Sequence, residues 1–312
     1  MQRGFEICPI CGYEPTNGGN HCQQCGTECK HAEHRIFVTS QTPIEVDTPK
    51  LPRWRKLLQP HRYFALAKYL MHPIGGLLSP IRTITRKRTD KYYARSLHDI
   101  ELAREFYNFY FCDLTIPDQA KVLDHGCGRG RNTALLTRLG FHVSSIDVYL
   151  DPWWSNLREA DFTVVPIDKK YLPYKKDSFD LVLDWGVLGH LDSHALKHHA
   201  HEVYRVLRPG GYWATLEAHA EGFGVEVNRR HYGRLHSIDT MHNVAFEAGF
   251  KLIRQTNIGF YAPIFPIFVN ALRINLNPFA KIYDPAMGGF CSRLVPESRR
   301  PLHFAIRRKT NT

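Results

Sequence analysis

Long apolar segments are missing from this 312-residue sequence: no run reaches the ~18 uninterrupted apolar residues that a membrane-spanning helix needs. The first residues, MQRGFEICPICGYEP, lack the apolar core of a secretory signal peptide. No internal repeat or low-complexity tract is visible. We therefore expect a cytoplasmic protein with one core of roughly 200–250 residues and room for a small accessory module.

Acidic residues are almost absent from one segment. Residues 50–91 contain eleven Lys and Arg but a single acid, Asp90, so they carry ten of the eleven net positive charges of the chain. Composition divides the chain into a Cys-rich part at 1–35, a basic aromatic connector at 36–91, and a domain at 92–312 in which strand-like and helix-like patterns alternate.

The cysteines are not spread as in a disulfide framework. Five of the eight lie within residues 8–29, where CPICG and CQQCG form two C-x2-C pairs ten residues apart. This clustering favours a metal site in a reducing compartment, because four thiolates from two such pairs can converge tetrahedrally on zinc. The predicted ligands are Cys8, Cys11, Cys22 and Cys25. The pattern resembles a zinc ribbon, and the site would be structural because protein fills all four positions.

Alternatives to this ligand set stay open. Cys29, His21, His31 and His34 lie close enough in sequence to replace one of the four, and the four thiols could instead be unpaired and buried. A segment of about 25 residues has too little apolar core to fold alone, so the metal would fold it. We expect the zinc ribbon and the later domain to have separate cores.

A glycine-rich loop follows the first strong strand pattern of the domain. KVLDHG predicts a buried strand, NTALLTRLG a helix and FHVSSIDV a second strand, which together form a β-loop-α-β unit. Such units bind ligands at the carboxyl ends of their strands. Gly126, Gly128 and Gly130 give G-x-G-x-G, whereas a dinucleotide fingerprint would require a third glycine where Arg131 stands.

Two carboxylates define the ligand further. Asp124, immediately before the loop, would repel a pyrophosphate and attract an ammonium group. Asp147, at the end of the second strand, is placed to accept hydrogen bonds from a ribose diol. The expected ligand therefore has a ribose and a positive group but no phosphates. S-adenosylmethionine fits this description.

Three later motifs carry a family resemblance. The sequence D-x3-L-P at Asp168 is followed by F-D-L-V-L and then by V-L-R-P-G-G-Y. In this order they resemble the class I S-adenosylmethionine-dependent methyltransferases, particularly the type 11 group that includes quinone-biosynthesis methyltransferases. The glycine loop also resembles that of tellurite-resistance-type methyltransferases. The resemblance covers residues 92–310 and not the first 90.

The resemblance implies an α/β fold and a set of cofactor contacts. The fold is a seven-stranded Rossmann-like methyltransferase sheet with helices on both faces, in which the last strand, PLHFAIRRK, runs antiparallel. The implied contacts are Asp124, Gly126, Gly128 and Gly130 at the methionine end, Asp147 at the ribose, Asp168 at the adenine amino group, and Asp184, Trp185 and Gly186 beside the sulfonium. His125 departs from the small or aliphatic residue common in the family, and we expect its side chain to turn away from the ligand.

Methyl transfer requires a base only if the acceptor arrives protonated. The candidates near the expected cleft are His190, Glu217 and His219. His190, His194 and His198 also recur at helical spacing, which could bind a metal, but a solvated helix face is the favoured interpretation.

Missing motifs narrow the acceptor. The N/D-P-P-F/Y tetrad of exocyclic-amine methylases is replaced by DWGV, and neither Cys112 nor Cys291 has the setting of a cytosine-C5 nucleophile. We favour a small-molecule or lipid-like acceptor. The basic residues of 50–91 suit an anionic membrane surface, and an apolar, proline-broken lid at 259–276 could admit a lipid.

Other functions stay open. The basic and aromatic residues of 50–91, beside a zinc ribbon, also suit RNA, with phosphates on Lys and Arg and bases stacked on the rings. A non-catalytic scaffold, with a vestigial cofactor pocket and a zinc ribbon that docks a partner protein, is a third hypothesis, although intact Asp124, Asp147 and Asp168 count against it. The connector could equally be a solvated linker.

Overall fold

The computed structural model describes residues 6–14, 21–32, 35–39, 99–157, 160–166, 169–222, 225, 233–258 and 296–310. The basic segment 50–91, the lid at 259–276, Asp168 and Cys291 lie outside the described residues, as do the side chains of Cys29, His31 and His34. No helix in the described ranges is both long and apolar enough to cross a membrane.

The described strands form a single sheet. They are β1 (Glu28–Ala32), β2 (Arg35–Thr39), β3 (Lys121–His125), β4 (His142–Asp147), β5 (Asp161–Val164), β6 (Phe179–Trp185), β7 (Leu207–Ala218), β8 (Phe250–Ile258) and β9 (Leu302–Lys309). Their order across the sheet is β1-β2-β5-β4-β3-β6-β7-β9-β8. The run from β5 to β8 is the predicted seven-stranded sheet, and β9, which contains the last strand motif, pairs antiparallel with both β7 and β8.

Two strands from the N-terminal part extend this sheet. β2 pairs parallel with β5, and β1 pairs antiparallel with β2. The sequence does not predict this continuity, since each strand has only five residues and the partner strand lies more than 100 positions later. The sheet is thus continuous across the two parts, whereas the buried residues around Cys8 and Cys22 form a cluster of their own.

Helices cover both faces, as predicted. They are α1 (Ile100–Phe111), α2 (Arg131–Arg138), α3 (Ser193–Val206) and α4 (Ile238–Glu247). α1 and α2 pack on the face formed by Val122, Leu181 and Leu183. α3 and α4 pack on the opposite face, around Val182 and Trp213. Because alternate residues of a strand point to opposite faces, neighbouring polar residues at the strand ends are also separated between the two faces.

Candidate cofactor site and cysteine cluster

The glycine loop between β3 and α2 requires left-handed backbone at each of its three glycines. The φ angles are +66° at Gly126, +53° at Gly128 and +79° at Gly130, a conformation that costs other residues about 1–2 kcal/mol. A Cβ at Gly126 would also overlap Val187 Cγ2, and one at Gly130 would lie 2.7 Å from Leu157 Cδ1. At Gly128 nothing lies within 4 Å of such an atom. Only the middle glycine therefore faces open space.

Asp147 lies beside this open part of the loop. Its Oδ2 accepts a hydrogen bond from the Gly128 amide at 2.8 Å, and its Oδ1 accepts from the amides of Val148 at 2.7 Å and Tyr149 at 3.2 Å. The carboxylate is half-buried, and Oδ2, which accepts one bond, can accept a further one. The structure thus brings two of the predicted cofactor residues, Asp147 and Gly128, into direct contact.

Asp124 lies beneath the loop and is buried. Its Oδ2 accepts from the Thr133 amide at 3.0 Å and from Thr133 Oγ1 at 2.7 Å, which satisfies a first-turn amide of α2. Burial raises the pKa of Asp124 to about 7. The carboxyl group is directed at α2, so its structural contribution is to fix the start of that helix. Its contact with the ligand stays a prediction.

Asp184, predicted beside the sulfonium, is the last residue but one of β6. It lies on the opposite face of the sheet from Asp124, at the centre of a buried polar network. Its carboxylate accepts from His125 Nδ1 at 2.5 Å, His199 Nε2 at 2.9 Å and Trp213 Nε1 at 2.7 Å. The two imidazole rings stack with their centroids 4.5 Å apart. Burial alone would raise the pKa of Asp184, but the two histidines outweigh it and hold that pKa well below its usual range.

Hydrogen bonds account for this network without a metal. Two imidazoles and one carboxylate lie close enough to suggest metal ligands. Each histidine, however, donates its ring N–H to a carboxylate oxygen, and Trp213 donates a third. Burial lowers the pKa of His125 to about 4, and the neighbouring Asp184 opposes this shift. His125 lies on the α3 face of the sheet, within this network.

The other two residues predicted beside the sulfonium lie at the carboxyl end of β6. Trp185 is half-buried among Phe106, Tyr110 and Phe304 on the α1 face. Gly186 follows it with a φ of +70° and is exposed. Its amide donates to the Leu216 carbonyl at 2.9 Å, so the backbone is fixed at this point.

The three candidate bases have different surroundings. Glu217, near the end of β7, is buried, and its Oε1 accepts from the amides of Val187 at 2.7 Å and Leu188 at 3.0 Å. Burial raises the pKa of Glu217 to about 8. His219 is fully buried, with Nδ1 3.1 Å from Glu221 Oε2 and Nε2 2.6 Å from the Arg300 carbonyl. His190 is exposed.

The predicted cysteines converge. Cys8 Sγ lies 3.5 Å from Cys25 Sγ, Cys11 Sγ lies 3.5 Å from Cys22 Sγ, and all four sulfurs lie within 4.8 Å of one another. Four thiolates around a tetrahedral zinc, with bonds of about 2.3 Å, would lie roughly 3.8 Å apart. The donor set and its spacing therefore fit zinc.

Two matching turns produce this convergence. The Gly12 amide donates to the Cys8 carbonyl at 2.9 Å, and the Gly26 amide donates to the Cys22 carbonyl at 2.9 Å. The φ angle is +76° at Gly12 and +74° at Gly26. The sequence signal C-x2-C-G therefore corresponds to a defined backbone conformation. Among the residues that the structure describes, the row His190, His194 and His198 forms no such cluster.

Sequence reasoning missed several residues that shape the site. Trp154 donates from Nε1 to the Gly128 carbonyl at 2.7 Å and stacks on Phe162 with the ring centroids 4.5 Å apart. No spacing rule indicates this contact. His199 had a detectable signal, because it lies beside Leu196 and Val203 on the buried face of α3 rather than in the neighbouring histidine row.

Comparison with known proteins bears on the same region. Residues 123–215, less than a third of the chain, match the family model described as a methyltransferase domain. A Caenorhabditis elegans protein named Probable tRNA (uracil-O(2)-)-methyltransferase is 31% identical over 78 residues, which cover 25% of this chain and 14% of that protein. Methyltransferase GfsG of Streptomyces halstedii is 32% identical over 158 residues, covering 44% and 55% respectively.

A third relative is also named a methyltransferase. Phthiotriol/phenolphthiotriol dimycocerosates methyltransferase 1 of Mycobacterium ulcerans (strain Agy99) is 35% identical over 102 residues, which cover 30% of this chain and 35% of that protein. The chain thus spans about half or less of the length of these three relatives. The matched part of the sheet is similar to a methyltransferase domain, which agrees with the resemblance found in the sequence.

Proposed function

We propose that this protein transfers a methyl group from S-adenosylmethionine to a small-molecule or lipid-like acceptor. The observation that carries the proposal is the pair formed by Gly128 and Asp147 at the carboxyl ends of β3 and β4. A Cβ added at Gly128 would have no atom within 4 Å, so the loop faces open space at this residue. The Asp147 carboxylate lies beside that space, bonded to the Gly128 amide. This combination suits a ribose-containing ligand held without phosphates.

Bound S-adenosylmethionine would supply a methyl group activated by a sulfonium. We assign the ribose hydroxyls to Asp147, the adenine amino group to Asp168, and the wall beside the sulfonium to Trp185 and Gly186. In the transfer, the methyl carbon loses its bond to sulfur and gains one to the acceptor, with S-adenosylhomocysteine released. The protein contributes alignment of the two reactants and exclusion of water.

A protonated acceptor must also lose a proton, and the three candidate bases are not equivalent. His190, four residues after Gly186, is the exposed candidate, and an imidazole nitrogen can accept a proton from an acceptor in the cleft. Glu217 has a raised pKa but holds two backbone amides. His219 has both ring nitrogens occupied. We therefore place His190 first, Glu217 second and His219 last.

The acceptor class rests on the relatives. One is named for phthiotriol dimycocerosates, which supports a lipid-like substrate. RNA is the second candidate, because another relative is named for tRNA and residues 50–91 carry most of the net charge. That relative matches over only 14% of its length, so we rank RNA below a lipid-like acceptor. A vestigial scaffold is disfavoured by the intact Gly128–Asp147 pair.

We propose that the cysteine cluster binds zinc. The support is the set of Cys8, Cys11, Cys22 and Cys25, whose sulfurs lie within 4.8 Å of one another. We expect the metal to stabilise the N-terminal turns and to take no part in methyl transfer, because all four positions are held by protein.

One experiment tests the proposed acceptor directly. Purified protein with radiolabelled S-adenosylmethionine is incubated in parallel with membrane lipid extract, small phenolic and carboxylic acceptors, and tRNA. Label in the lipid or small-molecule fraction supports the proposal, and label in tRNA alone would replace it with the RNA function.

The basic segment 50–91 is tested by a triple variant, Arg86→Gln, Lys87→Gln, Arg88→Gln. It should weaken binding to the anionic partner, by about 1 kcal/mol per charge for a membrane, and flatten the salt dependence of that binding.

A further inference from the structure

We propose that the N-terminal part of the chain, with the cysteine module at residues 6–14 and 21–32, clamps residues 162–164 and 170–175, which flank the proposed adenine contact in sequence, so that metal binding and cofactor binding reinforce each other. The inference rests on the proposed function, since it concerns the affinity for S-adenosylmethionine. It follows from how the module contacts the domain on both sides of Asp168.

The first contact lies just after Asp168. The Pro9 carbonyl, inside the first C-x2-C turn, accepts hydrogen bonds from the amides of Lys170 at 2.8 Å and Tyr171 at 2.9 Å. Pro9 lies between two of the zinc ligands, Cys8 and Cys11. The direction of its carbonyl is therefore set by the same turn that the metal would hold.

Further bonds extend this contact along the segment. The Glu6 amide donates to the Pro173 carbonyl at 3.2 Å, and Glu6 Oε2 accepts from the Lys175 amide at 3.0 Å. The Tyr171 ring packs against Gly12, where an added Cβ would lie 3.1 Å from the ring. Residues 170–175 are thus fixed by the module through four backbone-directed hydrogen bonds and one ring contact.

The second contact lies before Asp168. β2 pairs with β5, with Arg35 opposite Phe162, Ile36 opposite Thr163 and Phe37 opposite Val164. β1 pairs with β2 and follows the second C-x2-C turn in sequence. Asp168 is therefore flanked in sequence by two stretches, 162–164 and 170–175, that both bond to the N-terminal part of the chain. A module that folds only around its metal would release both contacts when the metal is removed.

The coupling follows from linkage. Without these contacts, part of the binding free energy of S-adenosylmethionine would be spent on ordering residues 170–175, so the apparent affinity of the protein for S-adenosylmethionine would be lower. Because coupling between two binding sites is reciprocal, the cofactor must then strengthen metal binding by the same factor. Coupling of this kind commonly changes affinity by roughly 5–150-fold, and we expect about tenfold here.

The test uses the 312-residue protein, with zinc measured by atomic emission and cofactor affinity by titration calorimetry. Zinc-loaded wild type should bind S-adenosylmethionine about ten times more tightly than chelated protein, and Cys8→Ser should match the chelated protein. Cys112→Ser, at an exposed cysteine outside the module, is the control and should bind as wild type does.

A second variant keeps the experiment decisive if Cys8→Ser does not fold. Glu6→Ala removes the acceptor for the Lys175 amide but leaves all four cysteines, so it should retain zinc while weakening cofactor binding several-fold. Glu14→Ala, at an exposed residue of the same module, should change neither quantity. Equal cofactor affinity in loaded, chelated and Glu6→Ala protein would overturn the coupling alone. If loaded wild type bound no cofactor, the proposed function would fall and the coupling with it.

Discussion

The Gly128 amide donates a hydrogen bond to Asp147 Oδ2 at 2.8 Å, which ties the glycine loop after β3 to the end of β4. The Trp154 indole bonds the carbonyl of the same glycine at 2.7 Å. The amide and the carbonyl of Gly128 are thus both hydrogen-bonded, while its Cα faces open space. A loop fixed in this way is ready for a ligand without further ordering.

The loop glycines should respond differently to alanine. Gly126→Ala places a methyl group on Val187 and also requires left-handed backbone, so we expect a large loss of thermal stability. Gly128→Ala meets no neighbour and should cost only the backbone strain, about 1–2 kcal/mol. Thermal unfolding of the two variants checks the order, and equal destabilisation would contradict the loop geometry. Cofactor affinity should fall in Gly128→Ala, because the methyl group enters the proposed ligand space.

The network around Asp184 should be a major stabilising element. Asp184→Ala leaves three buried N–H donors unpaired, on His125, His199 and Trp213. Removal of one partner from such a buried charged network costs about 3–5 kcal/mol. Urea unfolding of Asp184→Ala measures this loss, with Asp118→Ala, at an exposed position, as the control. A loss below about 1 kcal/mol would show that the network is not formed as described.

Stability should fall as the pH rises towards 8, in part through Glu217. Its pKa is raised to about 8 in the fold from an ordinary value near 4.5, so the folded state binds the proton more tightly than the unfolded chain. The stabilisation that Glu217 contributes to the folded state is therefore complete below about pH 4.5 and is lost as the pH rises to about 8. Glu217→Gln keeps an acceptor for the two amides and should show a flatter dependence of the free energy of unfolding on pH between 5 and 8, roughly the range of the shift. An unchanged slope would mean that Glu217 is ionised in the fold.

Zinc content tests the cysteine cluster. Protein purified under reducing conditions should contain about one zinc per chain, and Cys22→Ser should lose it. A zinc-free preparation that folds normally, with the module protected from proteolysis, would instead support four unpaired thiols without a metal.

Local patterns predicted the centre of the fold because its elements follow directly in sequence. The strand, loop, helix and second strand at residues 121–147 are found as expected. The sheet edge was not predictable, because β1 and β2 are short and their pairing with β5 is decided by distant residues. Asp184 shows a second limit. Its place at the end of β6 was predicted, but the face it points to depends on strand register, and on that face it contacts α3 and β7.

Titration calorimetry of S-adenosylmethionine against wild type and Asp147→Ala tests the central claim most directly, with Asp161→Ala, exposed at the start of β5, as the control. Asp147 would accept hydrogen bonds from the ribose while it holds the Gly128 amide, and hydrogen bonds to a charged group contribute about 1.5–3 kcal/mol. We predict one site per chain in wild type and in Asp161→Ala, with affinity about tenfold to a hundredfold lower in Asp147→Ala. Equal affinity in wild type and Asp147→Ala, or no binding to wild type, would contradict the account.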